Sequence, residues 1–259
     1  MKLEIKDLSF SYPKRKVIDD LSLAFHEGEF VILLGRNGAG KTTLMKNLLG
    51  LLKPDAGSIL IDGQDINNLN NRERAKLLAY IPQEARQTFA YSVFSTVLMG
   101  TTASISPFAT PGEVEEEKAM EALKRFGIEA LKDRAINAIS GGERQLVLCA
   151  RAIAQNARIL LFDEPTSNLD WGNQIRVLES IRSLTKEGYL ALVTTHNLEQ
   201  ALNYGERIIL LDEGKIMADA FPSLLASSGV MKDFYSISLK IKNIDGHYIC
   251  LPEDKNVVE

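Results

Sequence analysis

The sequence predicts an α/β fold: a mostly parallel sheet, an antiparallel β layer at the N-terminal end, and a helical subdomain inserted into the core. Three observations predict it. The chain opens with segments that alternate apolar and polar residues. Three continuous apolar runs follow at wide spacing, each beside a helical pattern. Between about 84 and 157 there is helical periodicity and no strong strand.

Leu3 to Phe10 and Lys16 to Phe25 alternate as half-buried strands, with a turn at Pro13, Lys14 and Arg15 between them. Ser58 to Gly63 reads as a further short strand ending in a turn, which completes an antiparallel layer in the first 65 residues. Phe30 to Leu34, Ile159 to Phe162 and Leu190 to Val193 carry no polar residue. Strands that are apolar on both faces belong in parallel sheets with helices on both sides. Thr42 to Leu51 and Gly172 to Glu187 supply helical patterns beside them, and Glu113 to Phe126 and Gly141 to Gln155 supply those of the inserted part. From Ser236 onward, Ile237, Leu239 and Ile241 alternate with polar residues. Asp245-Gly246 then makes a turn and His247 to Leu251 alternates again, a hairpin expected to cap the core. The expected division of the single domain 1–259 is a core of about 1–83 and 158–235, a helical subdomain of about 84–157, and a tail of about 236–259.

Composition excludes several classes. The 259 residues are 45% hydrophobic and 25% charged, which is neither disordered nor fibrous. A net charge of −4 argues against nucleic acid as the main partner, because phosphate backbones call for a clustered basic face. Cys149 and Cys250 are too few for a disulfide scaffold, so a reducing compartment is expected. Met1 to Asp7 has no apolar region of the signal-peptide kind. The 26 residues from Gln87 to Gly112 contain no charge, yet they are rich in Ser and Thr and interrupted by Pro107 and Pro111, so they do not read as a membrane span.

Gly35-Arg36-Asn37-Gly38-Ala39-Gly40-Lys41-Thr42 fits the phosphate-loop pattern G-x-x-x-x-G-K-[ST] and lies between a buried strand and a helix. Glycines let the backbone wrap a phosphate with its N–H groups pointing inward, and the helix adds its positive end. Lys41 is expected at the β- and γ-phosphates and the Thr42 hydroxyl on Mg²⁺. Ile159 to Phe162 ends in Asp163 and Glu164, which would lie beside that loop if the two strands are neighbours. Asp163 would then hold Mg²⁺ through water and Glu164 would polarise the attacking water. Ser140-Gly141-Gly142-Glu143 reads as an N-cap followed by an open first helical turn.

With Ile139-Ser140-Gly141-Gly142-Glu143-Arg144-Gln145, the sequence resembles the nucleotide-binding subunit of ABC transporters over nearly its whole length, on a P-loop NTPase core of the RecA-like kind. The family pattern is Leu-Ser-Gly-Gly-Gln, from which Ile139 and Glu143 depart. The resemblance implies an ATPase with an ATP site of Tyr12, stacking on adenine, and Gly35, Arg36, Asn37, Gly38, Ala39, Gly40, Lys41, Thr42 and Thr43. Ser140, Gly141, Gly142 and Glu143 would cover the γ-phosphate of ATP bound to a second copy, so that two ATP are sandwiched in a homodimer. Gln83 would touch Mg²⁺ and the attacking water, Ser167 to Asp170 would couple the two sites, and His196 would contact the γ-phosphate beside Glu164.

In that family, the segment after the glutamine receives a coupling helix of a membrane permease. Here that segment is the uncharged run, with Thr88-Phe89-Ala90-Tyr91-Ser92-Val93 and Val97-Leu98-Met99-Gly100. It looks like the importer branch for iron–siderophore, haem and cobalamin, although Thr101 stands where the branch usually has Arg; molybdate or tungstate carriers share the pattern, and uptake of these or of metal ions is the alternative. Its Ser and Thr content is read as a semi-apolar interface rather than buried core. The implied partners are a second copy, a permease at the cytoplasmic face of the membrane and, indirectly, an extracellular or periplasmic substrate-binding protein. A soluble ABC ATPase of translation or repair is disfavoured by the single cassette and the charge. A P-loop kinase or GTPase is disfavoured by the absence of Asn-Lys-x-Asp, and an exporter half by the lack of fused membrane helices.

Overall fold

A computed structural model describes residues 1–83, 90–106 and 109–253. Strands β1 (Lys2–Tyr12) and β2 (Arg15–His26) pair antiparallel. β3 (Phe30–Gly35) leads into helix α1 (Lys41–Leu48), and β4 (Ala56–Ile61) and β5 (Gln64–Asp65) complete a first sheet in the order β2-β1-β4-β5. Helix α2 (Asn71–Leu77) precedes β6 (Leu78–Ile81), and α3 (Val93–Leu98), α4 (Glu113–Arg125) and α5 (Gly141–Ala154) follow. The chain continues with β7 (Ile159–Asp163), α6 (Trp171–Thr185), β8 (Leu190–Thr195), α7 (Leu198–Tyr204), β9 (Arg207–Asp212) and β10 (Lys215–Ala220). It ends in α8 (Pro222–Ser227), α9 (Val230–Tyr235) and the hairpin β11 (Leu239–Ile244) and β12 (His247–Pro252). The second sheet has the order β10-β9-β3-β8-β7-β6, parallel throughout except for the edge strand β10.

This sheet is wider than the three apolar runs foretell. β9 carries a fourth such run, Ile208 to Leu211, which is completely buried. β10 alternates as an edge strand does, and β6 is only four residues long, too short for a pattern to stand out. The cover also differs from helices on both faces. Leu160 and Phe162 of β7 join Ala191 and Val193 of β8 in a core shared with the helices. Ile159, Leu161, Leu190 and Leu192 point the other way, into a core closed by the antiparallel layer (Leu3, Ile5, Phe25, Ile59) and by Leu44, Met45 and Leu48 of α1. A half-buried sheet has one apolar face to cover, and here it lies on the parallel sheet.

Helix α1 stops at Leu48, short of Leu51. Gly50, at φ 63°, donates its N–H to the Asn47 carbonyl, and the Leu51 N–H closes on Lys46, the glycine-terminated end that left-handed backbone allows. The terminal hairpin forms as its pattern implies. Asp245 (φ 52°) and Gly246 (φ 87°) make the turn, and Ile241, Tyr248 and Cys250 pack on the helical-side core.

The uncharged segment divides in two. Val93, Val97, Thr96 and Thr101 are buried among the helices. The Thr96 hydroxyl donates to the Ser92 carbonyl (2.9 Å), Thr101 to Leu98 (2.8 Å) and Ser104 to Thr101 (2.7 Å). Uncharged hydroxyls can be buried because the helix's own carbonyls accept them, so Thr96 and Thr101 belong to the core, whereas Thr102, Ser104 and Ser106 are exposed. Among the described residues of this segment, Tyr91 and Met99 are the exposed large side chains, 45% and 41% accessible. Thr88, Phe89 and Pro107 lie outside the described residues. Among the described residues, no helix is long and apolar enough to cross a membrane.

Candidate functional site

β3 delivers the chain from the centre of the second sheet into the loop Arg36–Gly40. Gly38 (φ 81°) and Gly40 (φ 109°) are left-handed, and a Cβ on Gly40 would lie 2.9 Å from the Val17 carbonyl oxygen, so glycine is required there. A cavity of about 570 Å³ opens over this loop. It is lined by Tyr12, Arg15 and Val17 of the antiparallel layer, by Arg36, Asn37, Gly38 and Gly40 to Thr43, and by Gln83, Glu164 and His196.

Two residues of the expected loop set do not face this cavity. Gly35 points at the sheet, where a Cβ would come within 2.8 Å of the Leu211 carbonyl oxygen. Ala39 is buried, and its carbonyl accepts the Gly214 N–H at 3.1 Å. They shape the loop from within. Arg15 and Val17 were not foreseen. Arg15 donates to the Gly38 carbonyl at 3.2 Å, and only the folding of the β1–β2 turn over the loop brings it there.

Lys41 is 5% exposed. Its ammonium donates to the Gly35 carbonyl (2.7 Å) and the Arg36 carbonyl (3.3 Å) and pairs with Glu164 Oε1 at 3.2 Å. Glu164 follows the last residue of β7 with φ 47°, a conformation costly for a side chain with a Cβ and one that the surrounding structure must impose. Its other carboxylate oxygen, Oε2, lies 2.9 Å from His196 Nδ1 and 3.5 Å from Gln83 Nε2. Gln83, Glu164 and His196 are therefore gathered from three separate strand ends.

Asp163 lies beneath them, nearly inaccessible. Oδ2 accepts from the Thr42 hydroxyl at 2.9 Å and from the Tyr80 hydroxyl at 3.2 Å, while Oδ1 accepts from the Thr194 hydroxyl at 2.7 Å. Burial, with the Asp163 charge second, pushes the Tyr80 hydroxyl above the usual phenol range, so Tyr80 stays a proton donor. Thr194 and Thr195 close an apolar run, a pair of polar residues at a buried strand end that could have singled out this position. The Thr42 hydroxyl beside the Asp163 carboxylate is a hard oxygen pair of the kind Mg²⁺ accepts, and the glycine cradle fits a polyphosphate.

Ser140, Gly141, Gly142 and Glu143 do not line this cavity. Ser140 caps α5 as expected, and it forms a reciprocal capping box with Glu143. The helix start is packed against the loop Ser167–Asp170 and the first turn of α6. A Cβ on Gly141 would touch Leu169 at 3.4 Å, and one on Gly142 would collide with Asn173 at 2.3 Å. Asp170 caps α6 through the Asn173 N–H at 2.9 Å.

Residues 18–167 match the family model described as ABC transporter. An uncharacterized ABC transporter ATP-binding protein of Haemophilus influenzae is 41% identical over 213 residues, 82% of this chain and 81% of that one. A Helicobacter pylori protein named as a probable iron chelatin transport ATP-binding protein is 38% identical over 242 residues, covering 93% and 95%. Among solved structures, a chain assigned to a metal-chelate type ABC transporter in an inward-facing conformation superposes with a TM-score of 0.85 at 29% identity, covering 98% of both chains. The phosphate loop, the acidic strand end and the capped glycine helix thus sit in a sequence whose likeness to these proteins runs through its length, and the chain belongs to the ABC transporter family, among its ATP-binding cassettes, which are ATPases.

Proposed function

We propose that this chain is the ATP-hydrolysing subunit of an importer, working as a homodimer with a separate membrane permease at the cytoplasmic face to take up a metal chelate such as iron–siderophore, haem or cobalamin. The observation that carries the catalytic part is the Glu164 carboxylate, held between Lys41 at 3.2 Å and His196 at 2.9 Å over the phosphate loop. The import reading rests on the names of the iron chelatin relative and the metal-chelate type structure. An extracellular or periplasmic binding protein would deliver the cargo, which the ATPase does not touch.

ATP enters as substrate over Gly38 and Gly40, with adenine against the exposed Tyr12 ring. The loop amides and the start of α1 receive its phosphates. Lys41 exchanges its carbonyl and carboxylate partners for β- and γ-phosphate oxygens. Thr42 and Asp163, with Gln83, are the residues that would hold Mg²⁺, which supplies charge neutralisation at the phosphates. Glu164 then accepts a proton from water as the water oxygen bonds to the γ-phosphorus and the bond to the β-bridging oxygen breaks, leaving ADP and phosphate. His196 orients Glu164 and faces the γ-phosphate.

Ser140, Gly141, Gly142 and Glu143 act on ATP held by the second copy. Two facts support this: they are absent from the lining of their own chain's cavity, and they are packed on the loop Ser167–Asp170, so the two segments meet a partner together. The permease would dock at the exposed side of the uncharged segment. Tyr91→Asp or Met99→Asp should then abolish co-purification with the permease while ATP binding persists. The test of the catalytic assignment is Glu164→Gln, which should bind ATP, lose at least about 10²-fold in hydrolysis and accumulate as an ATP-bound dimer. Normal turnover by that variant would overturn the role of Glu164.

A further inference from the structure

We propose that Glu143 is an internal competitor for the phosphate that the start of α5 is to receive, and that it thereby sets the ATP concentration at which two copies pair. This rests on the paired reading above and adds a regulation of the same site.

The geometry is specific. Glu143 Oε2 accepts the Ser140 N–H at 2.8 Å and also the Ser140 hydroxyl at 2.8 Å, while the Ser140 oxygen accepts the Glu143 N–H at 3.3 Å. The single hydroxyl proton of Ser140 is thus already donated to a carboxylate and cannot serve a phosphate oxygen at the same time. Ser140 and Gly141 are exposed and Glu143 is partly so, which places this anion on the face that would meet a partner. The hydrogen bonds from Ser140 hold the Glu143 carboxyl below the usual range, so it is charged wherever ATP is.

An incoming γ-phosphate must therefore displace the Glu143 carboxylate from the Ser140 hydroxyl. A glutamine in this place could still accept the Ser140 N–H through its carbonyl oxygen. Its amide could donate to the Ser140 oxygen or to a phosphate, and the hydroxyl proton would be free. Ordinary helix capping does not predict any dependence on ATP: a cap contributes to helix stability alike with and without nucleotide.

The experiment uses the full-length chain in a Glu164→Gln background, where hydrolysis does not interfere, and measures dimer mass by light scattering across a Mg-ATP titration. Adding Glu143→Gln should lower the ATP concentration for half-pairing about tenfold at low salt, with the gain shrinking as ionic strength rises. Glu143→Ala should also lower it, despite a weaker cap. An unchanged or raised midpoint in Glu143→Gln, in a protein with unaltered melting temperature, overturns the inference while leaving pairing intact. Absence of pairing in every variant at saturating ATP overturns the paired reading itself, and this inference with it.

Discussion

Thr42 donates its hydroxyl to Asp163 at 2.9 Å although β3, which leads to Thr42, and β7, which ends at Asp163, are not neighbours in the sheet. β8 lies between β3 and β7, so the loop and the acidic strand end meet without the two strands being adjacent. Helix α1 bridges the gap by packing across to β7, and the intervening strand fills it with Thr194, which donates to Asp163 Oδ1 at 2.7 Å and accepts the Glu164 N–H at 2.9 Å. The two acidic residues are thus positioned by a hydroxyl from the strand between.

Thr194→Val keeps the shape of this side chain and removes both bonds. It should destabilise the protein by about 1–3 kcal/mol in urea unfolding, because Asp163 and the Glu164 amide lose a buried partner. ATPase activity should fall further than stability accounts for, by about tenfold or more, as Glu164 loses its anchor. Thr194→Ser should recover most of both.

Trp171 is the only tryptophan, directly follows Asp170, and is 77% exposed. If the loop Ser167–Asp170 meets a second copy, Mg-ATP added to Glu164→Gln should shift Trp171 emission to shorter wavelength and protect it from acrylamide, with no such change on adding ADP. Unchanged emission while light scattering reports a dimer would place Trp171 outside the contact.

The packing of the uncharged segment predicts a sharp contrast between neighbours. A Cβ on Gly100 would lie 2.2 Å from the Arg151 carbonyl oxygen, and Thr101 is completely buried beside it. Gly100→Ala should cost about 1–3 kcal/mol of stability by overpacking, and Thr101→Arg more, because it buries a charge. Thr102→Arg, at an exposed position, should leave the thermal midpoint within a degree or two of the parent's.

Burial pushes the Cys149 thiol up to about 12 and the Cys250 thiol up to about 11. Neither is a thiolate at neutral pH, so both should react slowly with a disulfide reagent in the native protein, and the fully buried Cys149 only on unfolding. The raised Cys149 value also has a sign for stability. Its contribution is complete below the unfolded value of 9.0 and declines as pH rises from there towards 12, where the unfolded chain ionises and the folded one resists. Cys149→Ala should lose less stability than the parent across that alkaline window in urea titrations.

The loop Gly35–Thr42, the cap at Ser140 and the terminal hairpin were readable because each depends on residues a few positions apart. Arg15 over Gly38, Tyr80 on Asp163 and the inward turn of Gly35 and Ala39 were not. In each case the partner comes from a distant part of the chain, and the turn over the loop or the width of the sheet decides the meeting.

Local chemistry alone therefore settled the α/β class, the phosphate loop and the family resemblance, because backbone conformation and phosphate recognition are written in short spacings of glycine, lysine and hydroxyl residues. Which faces of the sheet are covered by strands, which Ser and Thr are core and which acids share a hydroxyl were settled only in three dimensions. The order β3-β8-β7 places an unforeseen threonine between the loop and the acids, and burial leaves each of these polar groups no partner but the one the fold brings to it.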